Sequence, residues 1–291
     1  TVVPKLIPVK ELFGLQGTWE MKAHEKSYVR TGGEPIKAII PVAGEPKDHH
    51  LRESILKDTP TCMLDINGKT ILQRHIDNLH ALKITDVNII TGYCRDKINI
   101  DGVKKFENPE YQTTRELTSI MMAEQDMNEK TMIMFGDTIY ERKIIEQLTQ
   151  QEGDVTIVVD SSYRTDQFRS KEKLDLVVAK RSPICGERAV RLDEGDNYVL
   201  HIGPHVTSQH ANFEFVGLAM FSREGIVKLK ETYGKYFDEL RNSDFTVAIQ
   251  KMIDDGVKVN CLEVHKGWTE VHSFEDYKRL SSMITSRNKE A

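Results

Sequence analysis

The sequence predicts an α/β protein with a mixed, mostly parallel sheet flanked by helices. Between Lys37 and Asp160, short and nearly continuous apolar runs alternate with amphipathic helical stretches. Such runs are typical of parallel strands that are covered on both faces. From about Lys173 onward, strand-like runs follow one another with turns between them, which predicts an antiparallel extension on the substrate side.

Composition excludes several classes of protein. The 291 residues carry a net charge of -5, whereas nucleic-acid-binding domains usually present a basic face. No apolar run approaches the roughly 20 residues that a membrane span needs, and residues 1–30 are too polar for a secretory signal. The four cysteines are far apart and form no CxxC pair, so we expect reduced thiols in a cytoplasmic protein.

The first 36 residues differ from the rest. Apolar residues at helical spacing predict two short helices within residues 1–30, and the Gly-Gly and Pro of residues 31–36 predict a linker. One domain would then occupy residues 37–291. Because the chain begins at Thr1 and not at Met, we expect a fragment of a longer protein.

The elements follow in order along this domain. Strands are predicted in "KAIIPVA", "DVNIITGY", "TMIMFGD" and "DVTIVVD", and helices in "TILQRHIDNLHALKI", "LTSIMMAEQDM" and "RKIIEQLTQQ". The later strands are "LDLVVAKR", "AVRLDEGDNYVLHIG", "NFEFVGLAMF" and "VKVNCLEVHK". The later helices are "IVKLKETYGKY", "DFTVAIQKMIDDG" and "SFEDYKRLSSMITSR", the last with Ser273 and Asp276 placed as a capping box.

Ligands of open parallel sheets bind outside the carboxyl ends of the strands, and two of these ends suggest a phosphate and metal site. Gly44 directly follows a buried strand, so its backbone could approach a phosphate, although a plain turn has the same pattern. Asp137 follows "MIMFG" and is a candidate ligand for Mg²⁺. The alternative is that Asp137 caps the helix that begins near Glu141.

Other polar residues join these candidates. On a strand, Trp268, Glu270 and His272 share a face, which makes Glu270 a candidate second acid on the metal, with His272 beside it. Asp160 and Glu214 lie at the end of, or within, apolar strands. Either could bind a substrate amine or be paired structurally.

Taken in order, these elements resemble a nucleotidyltransferase family with a Rossmann-like fold, whose members join a nucleotide to a phosphorylated sugar, choline phosphate or phosphonate. The matching stretches are "KAIIPVAG", "DTPTCMLDINGKTILQRHIDNL", "ITDVNIITGY", "NPEYQTTRELTSI", "MIMFGDTIY" and "GWTEVHSFEDY". Within the family, the chain looks most like the cytidylyltransferases fused to phosphoenolpyruvate mutase in phosphonate biosynthesis. "IPVKELFGLQGTWEMKAHEKSYV" is similar to the end of the mutase.

The resemblance implies a reaction and a site. CTP and a small phosphonate, such as 2-aminoethylphosphonate or 2-hydroxyethylphosphonate, would react on Mg²⁺ with release of pyrophosphate. Residues 1–30 would be a remnant of the upstream mutase domain. Asp137, Glu270 and His272 would hold the metal, and Asp137 and Lys57 would be catalytic. Two further sets would bind the nucleotide (Val42, Ala43, Gly44, Glu45, Thr61, Gly92 and Ser119) and the phosphonate (Asp160, Glu214 and Trp268).

Three departures from the family pattern affect the charge of the site. The glycine-rich loop "AAGxGxR" reads "VAGEPKDHHLR", and Thr61 replaces the lysine that contacts the α-phosphate. His272 stands where the last strand carries an acid in the family. Lys47, Arg52 or Lys57 could replace the lost positive charge. The alternatives are a degenerate binding or scaffolding domain, or a transferase acting on phosphocholine or a sugar-1-phosphate.

Overall fold

The computed structural model describes residues 34–163, 174–183 and 195–290. The predicted helices of residues 1–30 and the start of the linker lie outside the described residues. So does the first part of the predicted strand "AVRLDEGDNYVLHIG".

Strands and helices alternate as the sequence predicts. The strands are β1 Ile36–Pro41, β2 Asp86–Thr91, β3 Lys104–Glu107, β4 Lys130–Met134, β5 Thr138–Tyr140, β6 Val155–Asp160, β7 Leu176–Ala179, β8 Val199–Ile202, β9 Phe213–Phe221, β10 Val259–Val264 and β11 Trp268–Glu270. The helices are α1 His49–Leu51, α2 Ile71–Ala81, α3 Glu116–Met121, α4 Arg142–Thr149, α5 Arg223–Lys235, α6 Phe237–Leu240, α7 Phe245–Asp254 and α8 Phe274–Glu290. A π-helical turn over Arg52–Leu56 continues α1.

The central sheet has the order β10-β6-β9-β4-β1-β2-β3. β4, β1, β2 and β3 are parallel to one another, and β10 is parallel to β6. β9 lies antiparallel between β4 and β6, and it also pairs with β7, which in turn pairs antiparallel with β8. The predicted mixed, mostly parallel sheet with an antiparallel extension is therefore confirmed.

The apolar strands are buried because helices cover both faces of the sheet. Along β1, Ile39 belongs to the core cluster on one face, and Ala38 and Ile40 belong to the cluster on the other face. Helix α2 presents Leu72 and Leu79 to the second cluster, as its spacing predicts. None of the described helices is both long enough and apolar enough to cross a membrane.

Two short strands, β3 and β5, escape sequence prediction, and a third, β11, is shorter than the strand that the sequence predicts through His272. β3 reads "KKFE" and forms the sheet edge, where charged side chains point into water. β5 and β11 have three residues each and pair with each other in a separate antiparallel ribbon. This ribbon matters for function, since it joins the end of β4 to the residues before α8.

A charged cluster lies at the amino ends of the parallel strands, opposite the edge where ligands are expected. Lys37 donates to Asp86 at 2.5 Å and to Asp126 at 3.2 Å. Asp126 also accepts from Lys104 at 2.8 Å and from the Asn88 amide at 2.8 Å. We call these five residues the Lys37 cluster. Its two cations and two carboxylates neutralise one another.

Candidate active site

The candidate site begins where β1 ends. Val42 N–H donates to the carbonyl of Ile90 at 2.8 Å, and Ala43 accepts from Tyr93 N–H at 3.0 Å. These bonds continue the β1–β2 pairing beyond the strand and fix the backbone that leads into Gly44. Val42 and Ala43 are buried, whereas Gly44 and Glu45 are exposed. The loop therefore begins at the buried, hydrogen-bonded Val42 and Ala43 and becomes exposed to solvent at the carboxyl edge of the sheet.

Glycines that follow β2 and β4 pack closely against this backbone from either side. A Cβ atom on Gly92 would lie 2.8 Å from the carbonyl oxygen of Ala43 and 2.8 Å from Cβ of Tyr111. A Cβ atom on Gly136 would lie 2.5 Å from Cγ1 of Val42. Both positions need glycine because the neighbouring chains approach too closely for a side chain. The end of β1 is thus packed tightly against the ends of β2 and β4.

Gly44 differs from both, because a Cβ atom there would have nothing within 4 Å. Its backbone also lies outside the left-handed region that would require glycine. Neither packing nor backbone conformation therefore explains the glycine, so a plain left-handed turn does not account for it. Open space around an exposed glycine at this edge is what close approach of a ligand to the backbone requires.

The loop after Gly44 folds back on itself. Arg52 donates to Glu45 at 2.9 Å, and both side chains are partly exposed. Leu51 and Leu56 are buried in a cluster with Val271, which lies between two of the predicted metal ligands. The loop and the predicted metal site therefore share a hydrophobic support.

Lys57 and Thr61 lie further along this loop. Lys57 is exposed and ends the π-helical turn in the left-handed backbone region, with φ of 47°. Thr61 is half-buried and begins a short 3-10 turn after Pro60. Thr61 supplies no positive charge, and the exposed Lys57 lies four residues earlier.

The predicted metal residues lie together. β11 pairs with β5 so that Glu270 lies opposite Thr138, and Asp137 directly precedes that strand. Nε2 of His272 lies 3.3 Å from Oδ2 of Asp137, and Nδ1 lies 3.6 Å from Oε2 of Glu270. The side chains of Asp137, Glu270 and His272 are 36%, 30% and 37% exposed. β11 ends at Glu270, so His272 lies beyond the strand on which the sequence predicts it, yet it still faces Glu270.

Electrostatics favour an ionised Asp137. Burial raises the pKa of its carboxyl group, but the hydrogen bond and charge of His272 outweigh burial and lower the pKa below its ordinary value. The alternative role as a helix cap does not hold, because Glu141 occupies the N-cap of α4. Among the described residues, no three histidine, cysteine or acidic side chains converge as a complete metal site would. An ion here would take further ligands from a substrate or water.

His75 and Cys62 lie beneath Asp137, and sequence analysis did not identify them. Burial lowers the pKa of His75 to about 4 and, with the charge of Asp137, raises that of Cys62. Nε2 of His75 lies 2.5 Å from the carbonyl oxygen of Thr138, which fixes the residue after Asp137. Both groups stay neutral at pH 7, so the floor of the site adds no positive charge. A polar residue on the apolar face of α2 was the available signal for His75.

Asp160 and Trp268 contact each other. Asp160 is buried and accepts from Trp268 Nε1 at 2.8 Å, from Ser162 N–H and Oγ at 2.8 Å each, and from Lys266 N–H at 3.3 Å. Its observed role is to fasten β11 to the end of β6. Glu214 lies opposite Asp160 in the β6–β9 register and is 1% exposed. Their binding of substrate stays a prediction.

Ser119 is buried and bonds to the protein. It accepts from the amide of Asn108 at 3.0 Å, and Asn108 N–H donates to the carbonyl of Thr91 at 2.8 Å. This arrangement holds the 108–119 segment against the end of β2, where Tyr111 meets Tyr93 edge to face. Ser119 therefore supports the wall of the site, and contact with a nucleotide stays a prediction.

The structure thus brings together the 42–45 segment, Gly92 and the Asp137–Glu270–His272 group at one edge of the sheet. Asp160, Glu214 and Trp268 form a neighbouring group at the ends of β6, β9 and β11. Lys57 and Thr61 flank the loop.

Comparisons with known proteins agree with this fold. No protein-family profile matches the chain. The CTP:phosphoglutamine cytidylyltransferase of Campylobacter jejuni is 20% identical over 244 residues, which cover 76% of this chain and 91% of that protein.

Two solved structures have a similar fold over most of the length of this chain. CTP:phosphocholine cytidylyltransferase from Streptococcus pneumoniae has a TM-score of 0.61 at 16% identity, covering 86% of this chain and 99% of that one. The inositol-1-phosphate CTP transferase of T. maritima has a TM-score of 0.63 at 18% identity, covering 87% and 97%. At these identities the likeness establishes that the chain has the fold of the nucleotidyltransferases.

Proposed function

We propose that the protein is a cytidylyltransferase, which transfers CMP from CTP to a small acceptor that carries a phosphorus oxyanion. The observation that carries the proposal is the meeting of an open glycine loop, at Ala43 and Gly44, with the Asp137–Glu270–His272 group at the carboxyl edge of one sheet. A backbone loop suits a triphosphate, and an ionised carboxylate suits the cation that accompanies it.

The similar proteins support CTP as the nucleotide. All three have CTP in their names, and their acceptors are phosphoglutamine, phosphocholine and inositol-1-phosphate. These acceptors differ in their organic part but share a phosphate group. The common feature is thus a phosphorus oxyanion that acts as the nucleophile.

The reaction needs positioning and charge neutralisation more than proton transfer. An oxygen of the acceptor attacks the α-phosphorus of CTP, the bond from this phosphorus to the β-phosphate oxygen breaks, and pyrophosphate leaves. In this proposal the backbone of residues 42–45 holds the triphosphate. The ends of β2 and β4 keep that backbone rigid through Gly92 and Gly136.

Mg²⁺ is the predicted cation, and the donor chemistry of the site suits a divalent ion. Asp137 supplies a carboxylate oxygen whose pKa is held low, and Glu270 adds a second carboxylate close to the site. When bound, such an ion neutralises the charge on the reacting phosphates. The His272 imidazole lies between the two carboxylates.

Within the described part of the loop, residues 44–61, few side chains offer positive charge to a triphosphate. Thr61 supplies none, and Arg52 is paired with Glu45 at 2.9 Å. Lys57 and Lys47 are exposed and free to reorient toward a bound triphosphate. Of these, Lys57 is our candidate for the catalytic cation, because it lies nearest in sequence to Thr61.

A small phosphonate, 2-aminoethylphosphonate or 2-hydroxyethylphosphonate, is the first candidate acceptor. The sequence resemblance supports it, and the same resemblance implies an upstream phosphoenolpyruvate mutase domain. Phosphocholine and sugar-1-phosphates are the alternative acceptors, and the named substrates of the similar proteins favour them equally. Asp160, Glu214 and Trp268 are the candidate acceptor residues.

Pyrophosphate release, measured with CTP, Mg²⁺ and each acceptor in turn, tests the proposal. We expect turnover with at least one phosphonate, and turnover about 10³-fold lower with Asp137→Asn. Turnover with a phosphate ester alone would replace the phosphonate but keep the transferase. A complete lack of turnover and of any CTP-dependent rise in Tm would instead support a scaffolding domain, which the altered loop and Thr61 also suggest.

A further inference from the structure

His272 gives the proposed cation site a nitrogen donor. We infer that Asp137 and His272 together form the protein's share of the cation site, that Glu270 orients the imidazole, and that the site therefore binds a Mn²⁺-type transition cation more tightly than Mg²⁺. This inference rests on the proposed function, since the ion accompanies a nucleotide there.

The distances suit one ion between the first two residues. Adjacent ligands of an octahedral ion with bonds of about 2.1 Å lie about 3 Å apart. Nε2 of His272 and Oδ2 of Asp137 are 3.3 Å apart, and both side chains are more than one third exposed. A cation can therefore meet both atoms with only a small adjustment of either side chain.

Glu270 lies on the other side of the same ring. Its Oε2 is 3.6 Å from Nδ1 of His272. A histidine that binds a metal through one nitrogen usually directs its other N–H to a carboxylate, which fixes the tautomer and the ring orientation. The two carboxylates on opposite ring nitrogens thus have different tasks. This also explains why the three side chains do not converge on one point.

The donor set decides which ion binds best. Mg²⁺ prefers oxygen ligands, whereas transition ions such as Co²⁺ and Zn²⁺ also bind imidazole nitrogen; Mn²⁺ is the weakest binder of that series and therefore its most demanding probe. An acid at position 272 would create an all-oxygen site. His272 in that place shifts the preference toward ions that bind nitrogen, while Asp137 still supplies a hard anionic oxygen.

Mn²⁺ binding is the test, because it can be observed without turnover. Free Mn²⁺ would be measured by electron paramagnetic resonance, with the full chain alone and with CTP added, and Mg²⁺ would compete for the site. Pulsed measurements would report whether a ¹⁴N nucleus is coupled to the bound ion. Variants His272→Asn, His272→Asp and Glu270→Gln are compared with His80→Asn, which removes an exposed histidine on α2.

We expect the unaltered protein to prefer Mn²⁺ over Mg²⁺ by about tenfold or more and to show ¹⁴N coupling. His272→Asn should abolish the coupling, and His272→Asp should abolish both the coupling and the preference. Glu270→Gln should keep the coupling but weaken Mn²⁺ binding about tenfold. His80→Asn should change nothing.

Bound Mn²⁺ without ¹⁴N coupling, coupling that survives His272→Asn, or no Mn²⁺ binding at all would overturn the inference. Loss of pyrophosphate release with intact ¹⁴N coupling would overturn the proposed function and leave this cation site standing. The two failures are therefore distinguishable.

Discussion

The amino edge and the carboxyl edge of the central sheet, where the parallel strands begin and end, differ in how their charged side chains are arranged. At the amino edge, the Lys37 cluster pairs two cations with two carboxylates, and the Lys37 side chain is only 7% exposed. At the carboxyl edge, Asp137 and Glu270 lie on either side of the His272 imidazole, and each is about one third exposed. Charges that are buried and paired within the protein stabilise the fold, whereas charges that stay accessible to solvent are available to a ligand.

The largest expected effect is a loss of activity on substitution at the carboxyl edge, with none at the amino edge. Asp137→Asn should lower CTP-dependent pyrophosphate release by about 10³-fold, because it removes the anionic oxygen that holds the cation. Its free energy of unfolding should change little. The matched control is Asp126→Asn at the opposite edge, which should retain full turnover well below its Tm. Equal losses of turnover in both variants would remove the distinction between the edges.

The next prediction concerns the rigidity of the phosphate loop. Gly136→Ala places Cβ against Val42 and the carbonyl of Pro41, 2.8 Å away, so we expect a loss of about 2 kcal/mol in stability and weaker CTP binding. Gly44→Ala has room and should leave Tm unchanged while raising the KM for CTP. Chemical denaturation and steady-state kinetics measure both. A Gly44→Ala variant with normal KM would argue against contact between this backbone and phosphate.

A comparable loss of stability is expected at the amino edge. Asp126→Asn removes the carboxylate shared by Lys37, Lys104 and Asn88, and should cost about 2 kcal/mol because Lys37 stays buried with less compensation. Urea unfolding at pH 7 measures it. An unchanged midpoint would show that the amino edge is as tolerant of lost charge as the carboxyl edge.

Asp126 should also make the free energy of unfolding depend on pH. The hydrogen bonds from Lys104 and Asn88 lower the pKa of Asp126 from 3.8 to about 2. A depressed pKa in the folded state stabilises the protein above the unfolded value, and this contribution is lost as the pH falls from about 4 to 2. Asp126→Asn should therefore flatten the fall of the unfolding free energy in this window. A slope unchanged by the substitution would contradict the assignment.

The smallest predicted effect tests the acceptor residues. Trp268→Phe removes the hydrogen bond to Asp160 and should cost about 1 kcal/mol in stability. If the pair only fastens β11, the KM for the acceptor stays unchanged. A raised acceptor KM with unchanged KM for CTP would instead support the predicted contact with substrate.

Sequence patterns predict the fold well, because the strands are apolar and their alternation with helices is regular. They miss β3, since its charged residues lie on a sheet edge, and β5, since three residues carry no periodicity, and they extend β11 two residues too far, to His272. The final helix was predicted down to its cap. Ser273 Oγ accepts from Asp276 N–H at 3.2 Å, and Asp276 accepts from Ser273 N–H at 2.9 Å.

The site is only partly predictable for a similar reason. Asp137 and Glu270 stand out as acids near strand ends, but their proximity depends on the unpredicted ribbon. The bond between Asp160 and Trp268 joins residues 108 positions apart, which no local pattern encodes. His75 lies on the apolar face of α2, where its contact with Thr138 only becomes visible in three dimensions.

Amide hydrogen exchange with and without CTP and Mg²⁺ tests the central claim most directly, since it reports on both edges in one experiment. We predict added protection in residues 42–45, 92–93, 137–138 and 270–272, and no change at residues 37, 86–88, 104 and 126. Protection at the amino edge, or none at the carboxyl edge, would contradict the account.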